Sequence, residues 1–164
     1  MVHANLLLAI GSNPPSRTSG LRTLNRLQQA RDFLEFDDVR LANLFSTASY
    51  RSGEVSELGV DPEGWLTARR LLEEELEDAA AVLLAYGSQT PLGPARLHFR
   101  EQLAWLGTRL VAQGTPTWWV GGAPRHPSRW QRYTHRTYPD LTYSEALPLS
   151  IEPCPPPTPL QGAV

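Results

Sequence analysis

Short apolar runs alternate along the chain with segments in which apolar residues recur every three or four positions. A short apolar run is typical of a buried strand, and the wider spacing is typical of an amphipathic helix. The runs predict strands at residues 6–10, 39–45, 79–86 and 117–120. The periodic segments predict helices at residues 18–36, 61–78 and 93–113. Strands that alternate with helices in this way favour βαβ units and a parallel sheet.

These elements predict the fold class α/β, as a three-layer α/β/α sandwich around a four-stranded parallel sheet in the order 2-1-3-4. Right-handed crossovers place the connecting helices on both faces of such a sheet. The length of 164 residues fits one domain, since domains typically have roughly 100–200 residues. We assign residues 1–146 to this domain. Residues 147–164 contain six prolines, so we expect a C-terminal tail that is neither helix nor central strand.

Composition excludes several classes of site. Cys154 is the single cysteine, so the chain alone forms no disulfide and no cysteine-ligated zinc or iron–sulfur centre. No apolar run approaches the roughly 20 residues that span a bilayer, and residues 1–5 lack the pattern of a signal peptide. We therefore expect a cytoplasmic protein without a membrane partner. The net charge of −2 means that any contact with nucleic acid depends on a local basic patch.

Glycine-rich or polar segments follow each predicted strand. Ligands of open parallel α/β sheets bind beyond the carboxyl ends of the strands. Asn13 follows the first strand, Asn43 lies near the end of the second, and His126 follows the fourth. We expect these three side chains to converge on one edge of the sheet, where they could read or activate a small planar ligand.

Four motifs carry a resemblance to a known family. They are Ile-Gly-Ser-Asn-Pro at 10–14, Leu-Ala-Asn-Leu at 41–44, Leu-Leu-Ala-Tyr-Gly-Ser at 83–88 and Arg-His-Pro-Ser at 125–128. In order and placement they resemble the uracil-DNA glycosylase superfamily, and the first motif is most similar to its mismatch-specific branch. The chain also resembles an uncharacterised bacterial and phage family over about residues 6–130, most closely at Ala-Asn-Leu-Phe and Pro-Arg-His-Pro.

The resemblance implies a uracil-DNA glycosylase-like fold and a role for each matching residue. Asn13 would position a water molecule at the anomeric carbon of the sugar, and Asn43 would read the edge of a base. His126 would donate a hydrogen bond to the departing base as it gains negative charge. No cofactor and no metal are implied. The remaining residues expected to bind the base are Gly11, Ser12 and Phe45.

The chain departs from the family pattern at several positions. Asn13 is not a general base, so it can only orient water. Pro15 stands where the uracil-specific branch has an aromatic gate, and the four cysteines of the cluster-bearing branch are absent. Trp130 follows the last motif, where it could wedge into a duplex or stack on a single-stranded base.

The segment 125–136 combines basic and aromatic residues and contains no acidic residue. This composition is typical of surfaces that follow a nucleic-acid backbone. The alternative is a solvated helix whose arginines pair with acidic residues elsewhere. The residues predicted to contact nucleic acid are Arg125, Ser128, Arg129, Trp130 and Arg132.

The sequence therefore predicts a monomeric protein that binds DNA or a nucleotide. Its possible reaction is hydrolysis of the N-glycosidic bond of a damaged or modified base, as in base excision repair. Two alternatives remain open, namely a non-catalytic binding module and an enzyme that acts on a free nucleotide. Each site residue also has an ordinary interpretation: Asn13 as a turn residue, Asn43 as a buried amide and His126 as a surface loop histidine.

Overall fold

β1 (Leu6–Gly11) is the central strand, and all of its residues are buried. It pairs in parallel with β2 (Asp38–Asn43) on one side and with β3 (Ala79–Leu84) on the other. A strand that is covered on both faces has no solvent-facing positions, which explains its continuous apolar run. The computed structural model describes residues 5–16, 19–49 and 52–158.

Helices cover both faces of the sheet. They are α1 (Leu21–Leu34), α2 (Val55–Leu58), α3 (Glu63–Asp78), α4 (Ala95–Gln113), α5 (Trp130–Thr137) and α6 (Tyr143–Ser150). Successive side chains of a strand point to opposite faces. Accordingly, Leu8 and Ile10 pack with residues of α3 and α4, whereas Leu7 and Ala9 pack with residues of α1, α5 and α6. The predicted α/β layering is confirmed.

The sheet has one more strand than predicted. β4 (Thr117–Val120) pairs in parallel with β3, and β5 (Ile151–Pro153) pairs antiparallel with β4. The resulting order is β2-β1-β3-β4-β5, so the predicted order of the four parallel strands is confirmed. The predicted count of four is wrong because the proline-rich segment supplies an edge strand. An edge position tolerates Pro153, since one side of an edge strand makes no ladder bonds.

Most of the described part of the predicted tail belongs to the packed fold. Residues 147–150 form the last turn of α6 and precede β5. Beyond β5, Pro157 is buried, and its carbonyl group fills the space that a side chain at Gly107 of α4 would need. The rest of the predicted tail, residues 159–164, lies outside the described residues.

The topology locates the edge at which a ligand can bind. The chain leaves β1 for α1 on one face of the sheet and leaves β3 for α4 on the other face. The switch point therefore lies between β1 and β3, and crevices at such points are the usual ligand sites of open α/β sheets. Within the described ranges, no helix has the length and apolar character needed to cross a membrane.

Candidate functional site

The β1–β2 pairing continues beyond the ends of both strands. The Leu44 N–H donates to the Gly11 carbonyl oxygen at 2.9 Å, and the Phe45 N–H donates to the Ser12 carbonyl oxygen at 2.9 Å. Two of the predicted motifs are thereby held side by side. We call this region, residues 11–16 and 43–49, the β1/β2 end.

Asn13 is bonded to the neighbouring loop. Its Nδ2 donates to the Thr47 carbonyl oxygen at 3.1 Å and to Ser49 Oγ at 2.7 Å. Backbone bonds join the same segments, because Ser16 N–H donates to the Ser49 carbonyl oxygen at 3.1 Å. Both hydrogens of the Asn13 amide are engaged in these contacts, so Oδ1 is the atom left to orient a water molecule.

Asn43 lies opposite Gly11 in the register of β1 and β2. A Cβ at position 11 would lie 2.6 Å from Asn43 Oδ1, so only glycine leaves room for this amide. The side chain is half-buried and makes no hydrogen bond to any residue that the structure describes. Its donor and acceptor groups are therefore available to a ligand, as the prediction of a base-reading residue requires.

Phe45 does not present a face to a ligand. Its ring is 1 % exposed and packs against Trp65, with ring centroids 4.7 Å apart. It also covers Gly64, where a side chain would overlap the ring. Phe45, one of the residues expected to bind the base, is instead buried in the core between the sheet and α3.

His126 precedes a 3₁₀ turn, Pro127–Arg129, and caps it with its ring. The Ser128 N–H donates to His126 Nδ1 at 3.1 Å, and Ser128 Oγ lies 2.8 Å from the same nitrogen. A nitrogen that accepts a hydrogen bond carries no proton, so neutral His126 carries its proton on Nε2. Burial, with a smaller effect of Arg129, lowers the pKa of His126 below its ordinary value. The ring is therefore a neutral Nε2–H donor at pH 7.

The loop that carries His126 rests on the end of β3. The Gly87 N–H donates to the Pro124 carbonyl oxygen, and a Cβ at Gly87 would lie 4.0 Å from His126 Cβ. His126 and Asn43 are thus on the same edge of the sheet, but β1 and β3 lie between their strands. We call residues 85–90 and 119–136 the β3/β4 end.

Trp130 is buried, which corrects its expected role as a wedge. It is 0 % exposed, belongs to the core beneath α5 and α6, and donates from Nε1 to the Arg125 carbonyl oxygen at 3.0 Å. As the first residue of α5 it faces the sheet together with Thr134, four positions later. Its ring has no exposed face on which a base could stack.

Arg125 also has a structural role. Its guanidinium lies 4.5 Å from the centroid of the Tyr133 ring and donates to the Gly121 carbonyl oxygen at 3.3–3.4 Å. A Cβ at Gly121 would lie 2.6 Å from the Tyr133 ring, and the residue has a φ of 69°. Glycine is therefore required at position 121 by both conformation and space.

Three arginines form an exposed basic face. Arg129, Arg132 and Arg136 are exposed, and none of them forms an ion pair with a described acidic residue. The alternative, in which acidic residues pair with these arginines, is therefore not seen among the described residues. A groove of about 520 Å³ runs beside it between α5 and α6, lined in part by Ser128, Arg132 and Tyr143.

A pocket that the sequence did not predict lies at the ends of β3 and β4. It has a volume of about 260 Å³, and Tyr86, Phe99 and Trp119 line it. We call it the aromatic pocket. The Leu-Leu-Ala-Tyr-Gly-Ser motif at 83–88 includes Tyr86, but the apolar patterns assigned Tyr86 and Trp119 to strands and Phe99 to a helix, so the pocket itself was not predicted. The aromatic residue at the end of the third predicted strand was the available signal.

None of three comparisons, with protein-family models, with curated proteins and with solved structures, gives a match for this chain. Among the described residues, no group of three or more histidine, cysteine, aspartate or glutamate side chains could hold a metal ion.

Proposed function

We propose that this protein binds a nucleobase, as part of DNA or of a nucleotide, at the carboxyl edge of its sheet. In the catalytic form of the proposal it hydrolyses the N-glycosidic bond of a damaged or modified base, as a uracil-DNA glycosylase-like protein would. The observation that carries the proposal is His126, whose ring is a neutral Nε2–H donor at that edge.

A neutral donor suits a base that leaves with its bonding electrons. Negative charge then grows on a carbonyl oxygen of the base, and a hydrogen bond from His126 Nε2–H strengthens as the charge develops. Because the Ser128 N–H occupies Nδ1, the ring has one donor orientation and does not need to reorganise. Water supplies the oxygen that attacks the sugar carbon, and Asn13 Oδ1 is the atom available to orient it.

The basic face supports a polyanionic ligand. Arg129 precedes α5, and Arg132 and Arg136 lie on it, so one exposed surface beside His126 carries three positive charges. Their charges have no acidic partner among the described residues, so binding of phosphates breaks no ion pair seen there. Such contacts position a nucleic acid without reading its sequence.

One observation favours the alternative of a non-catalytic binding module. The segments 11–16, 43–49, 85–90 and 119–136, which form the two ends, contain no aspartate or glutamate. No carboxylate from these segments can therefore take a proton from the attacking water. In this alternative Asn43 and His126 recognise the base, and the bond is not cleaved.

A panel of labelled oligonucleotides tests the proposal. It contains uracil, hypoxanthine, mismatched thymine and modified cytosines, in single and double strands, at low and moderate salt. Abasic product from one base, lost in His126→Ala, supports the catalytic form. Binding that weakens with salt, without product, supports the binding module.

The absence of both product and binding would contradict the DNA proposal. Free nucleotides and nucleosides are then the remaining substrates of this class. A protein that binds DNA should lose affinity when Arg129→Ala and Arg132→Ala are combined, whereas an enzyme that acts on a free nucleoside should keep its turnover in the same double variant.

A further inference from the structure

The aromatic pocket borders the loop that carries His126, through Gly87 and Pro124, but none of its lining residues is among those predicted to bind a base or nucleic acid. It opens between the β3–α4 connection and the turn after β4, on the face of the sheet that α4 covers. Gly87 and Gly122 lie at its rim with φ values of 89° and 74°. Two turns that need glycine thus shape the entrance, and no side chain at those positions closes it.

The walls of the pocket select for a flat ligand. Tyr86 and Phe99 form an edge-to-face pair with ring centroids 6.2 Å apart. The Trp119 ring is held by a hydrogen bond of 3.0 Å from its Nε1 to Glu152 Oε1. Rings fixed in this way offer contact area at little cost in side-chain entropy, and they favour stacked or edge-on contacts with another ring.

The uncharged lining of the pocket favours a neutral ligand. No lining residue of the aromatic pocket has an ionised side chain. Burial, with a further contribution from Cys154, raises the pKa of Tyr86, so its phenol stays protonated. Burial also raises the pKa of the Cys154 thiol to about 12. An anion such as phosphate would therefore enter without a counter-charge from the lining residues, which is costly.

Two polar groups of the lining are available to a ligand. The Tyr86 hydroxyl and the Gln89 amide form no hydrogen bond to any other residue within the described ranges. A ligand that bonds to these two groups therefore breaks no hydrogen bond within the described ranges. The volume of about 260 Å³ is below the roughly 300–1,000 Å³ of pockets for drug-sized ligands, so the ligand is small.

We infer that the aromatic pocket is a second binding site, which takes a neutral, planar, nitrogen-containing aromatic ring of the size of a free nucleobase. The ring stacks against the aromatic walls, and its polar edge meets the Tyr86 hydroxyl and the Gln89 amide. This site does not depend on His126 or on the basic face. A free ring in this pocket and a nucleic acid on the basic face are separate binding events.

The test is titration of the full chain with uracil, cytosine, adenine and hypoxanthine, followed by calorimetry and by amide NMR shifts. We expect at least one of these rings to bind and to shift amides of residues 86–90 and 119–124. Tyr86→Phe removes only the hydroxyl and should weaken that binding up to about tenfold, as expected for the loss of one hydrogen bond.

Ala123→Leu fills the pocket and should weaken binding more than tenfold. Ala112→Leu, the same substitution on the exposed surface of α4, is the matched control and should bind like the unaltered protein. If Ala123→Leu does not fold, the NMR shifts of the unaltered protein decide whether the ring binds in the aromatic pocket.

Two results would overturn the inference, namely that none of the four rings binds, or that the shifts lie outside the pocket. Oligonucleotide binding with neither ring binding nor pocket shifts would reject this site and leave the proposed function standing. Ring binding with pocket shifts but without oligonucleotide binding would support this site and contradict the DNA form of the proposed function.

Discussion

The β1/β2 end and the β3/β4 end occupy the same edge of the sheet but differ in what their polar groups do. At the β1/β2 end the backbone ladder continues past the strands, and Asn13 is bonded to Thr47 and Ser49. At the β3/β4 end the chain turns away after β4, which leaves a pocket, an oriented His126 and an exposed basic face.

The comparison shows that a motif at a strand end can be structural in one place and available to a ligand in another. Asn13 uses both of its donors to join two loops, so its loss should lower stability, and only its Oδ1 remains to orient a water molecule. Asn43 is the exception at the β1/β2 end, because its amide stays without a partner among the described residues. The other candidate ligand groups with unused hydrogen-bonding capacity, His126 Nε2, the Tyr86 hydroxyl and the Gln89 amide, lie at the β3/β4 end.

The largest expected effect comes from removal of the His126 ring. If the protein cleaves, His126→Ala should lower turnover about 100-fold, as the loss of one donor to a developing anion typically does. If it only binds, the affinity should fall about tenfold, the equivalent of about 1.4 kcal/mol. Ser128→Ala keeps the backbone donor to Nδ1 and should have a smaller effect. Equal effects of both changes would contradict the role assigned to the ring.

The second effect is a difference between Asn13 and Asn43 in their contributions to stability and to ligand binding. Asn13→Ala should lower the free energy of unfolding by about 1–2 kcal/mol, because it removes two hydrogen bonds of a partly buried amide. Asn43→Ala should change it by less than about 0.5 kcal/mol and should instead weaken ligand binding. Urea unfolding and a binding assay on both variants test this. A stable Asn13→Ala variant with impaired binding would reverse our assignment of the two roles.

A third, smaller effect concerns the basic face. Arg129→Ala and Arg132→Ala should each weaken binding of DNA a few-fold and reduce the slope of log affinity against log salt by about 1. Arg70→Ala, an exposed arginine of α3, is the control and should leave the slope unchanged. If all three variants have the same slope, phosphate does not bind at the basic face.

The smallest effect is the pH dependence of stability. His126 has a pKa below its ordinary value of 6.5 when folded, so the unfolded chain takes up a proton first as the pH falls. The stability contributed by neutral His126 is therefore present above pH 6.5 and is lost as the pH falls from there through the lowered pKa. His126→Gln should reduce this acid-side loss, as measured by urea unfolding between pH 7.5 and about 5. If His126→Gln and the unaltered protein lose the same stability toward low pH, protonation of the His126 ring does not cause that loss.

The sequence predicted β1 and β3 because each forms an apolar run, which a strand covered on both faces explains. The edge strand β2 is mostly exposed, and it was predicted from the apolar positions of residues 39–45. β5 was missed because it is three residues long, ends in proline and depends on β4 for its pairing. Such a strand has no periodicity of its own. Its position is decided by tertiary contacts that a local pattern does not contain.

The prediction for Trp130 failed for a different reason. The composition of residues 125–136 indicated a basic, aromatic surface, and its exposed arginines do form a basic face. The helix, however, buries Trp130 and Thr134, which are four positions apart and share a face.

The aromatic pocket was missed because its walls come from the ends of two strands and from α4, which only the fold brings together.

The most direct test of the account is an amide NMR titration of the unaltered protein with the oligonucleotide that binds best in the panel. We predict that the largest shifts fall at the β3/β4 end, in the backbone around His126 and along the exposed face of α5, with Asn43 as the main responding residue at the β1/β2 end. Shifts confined to the β1/β2 end, around Asn13 and residues 47–49, would contradict the claim that ligand recognition resides mainly at the β3/β4 end.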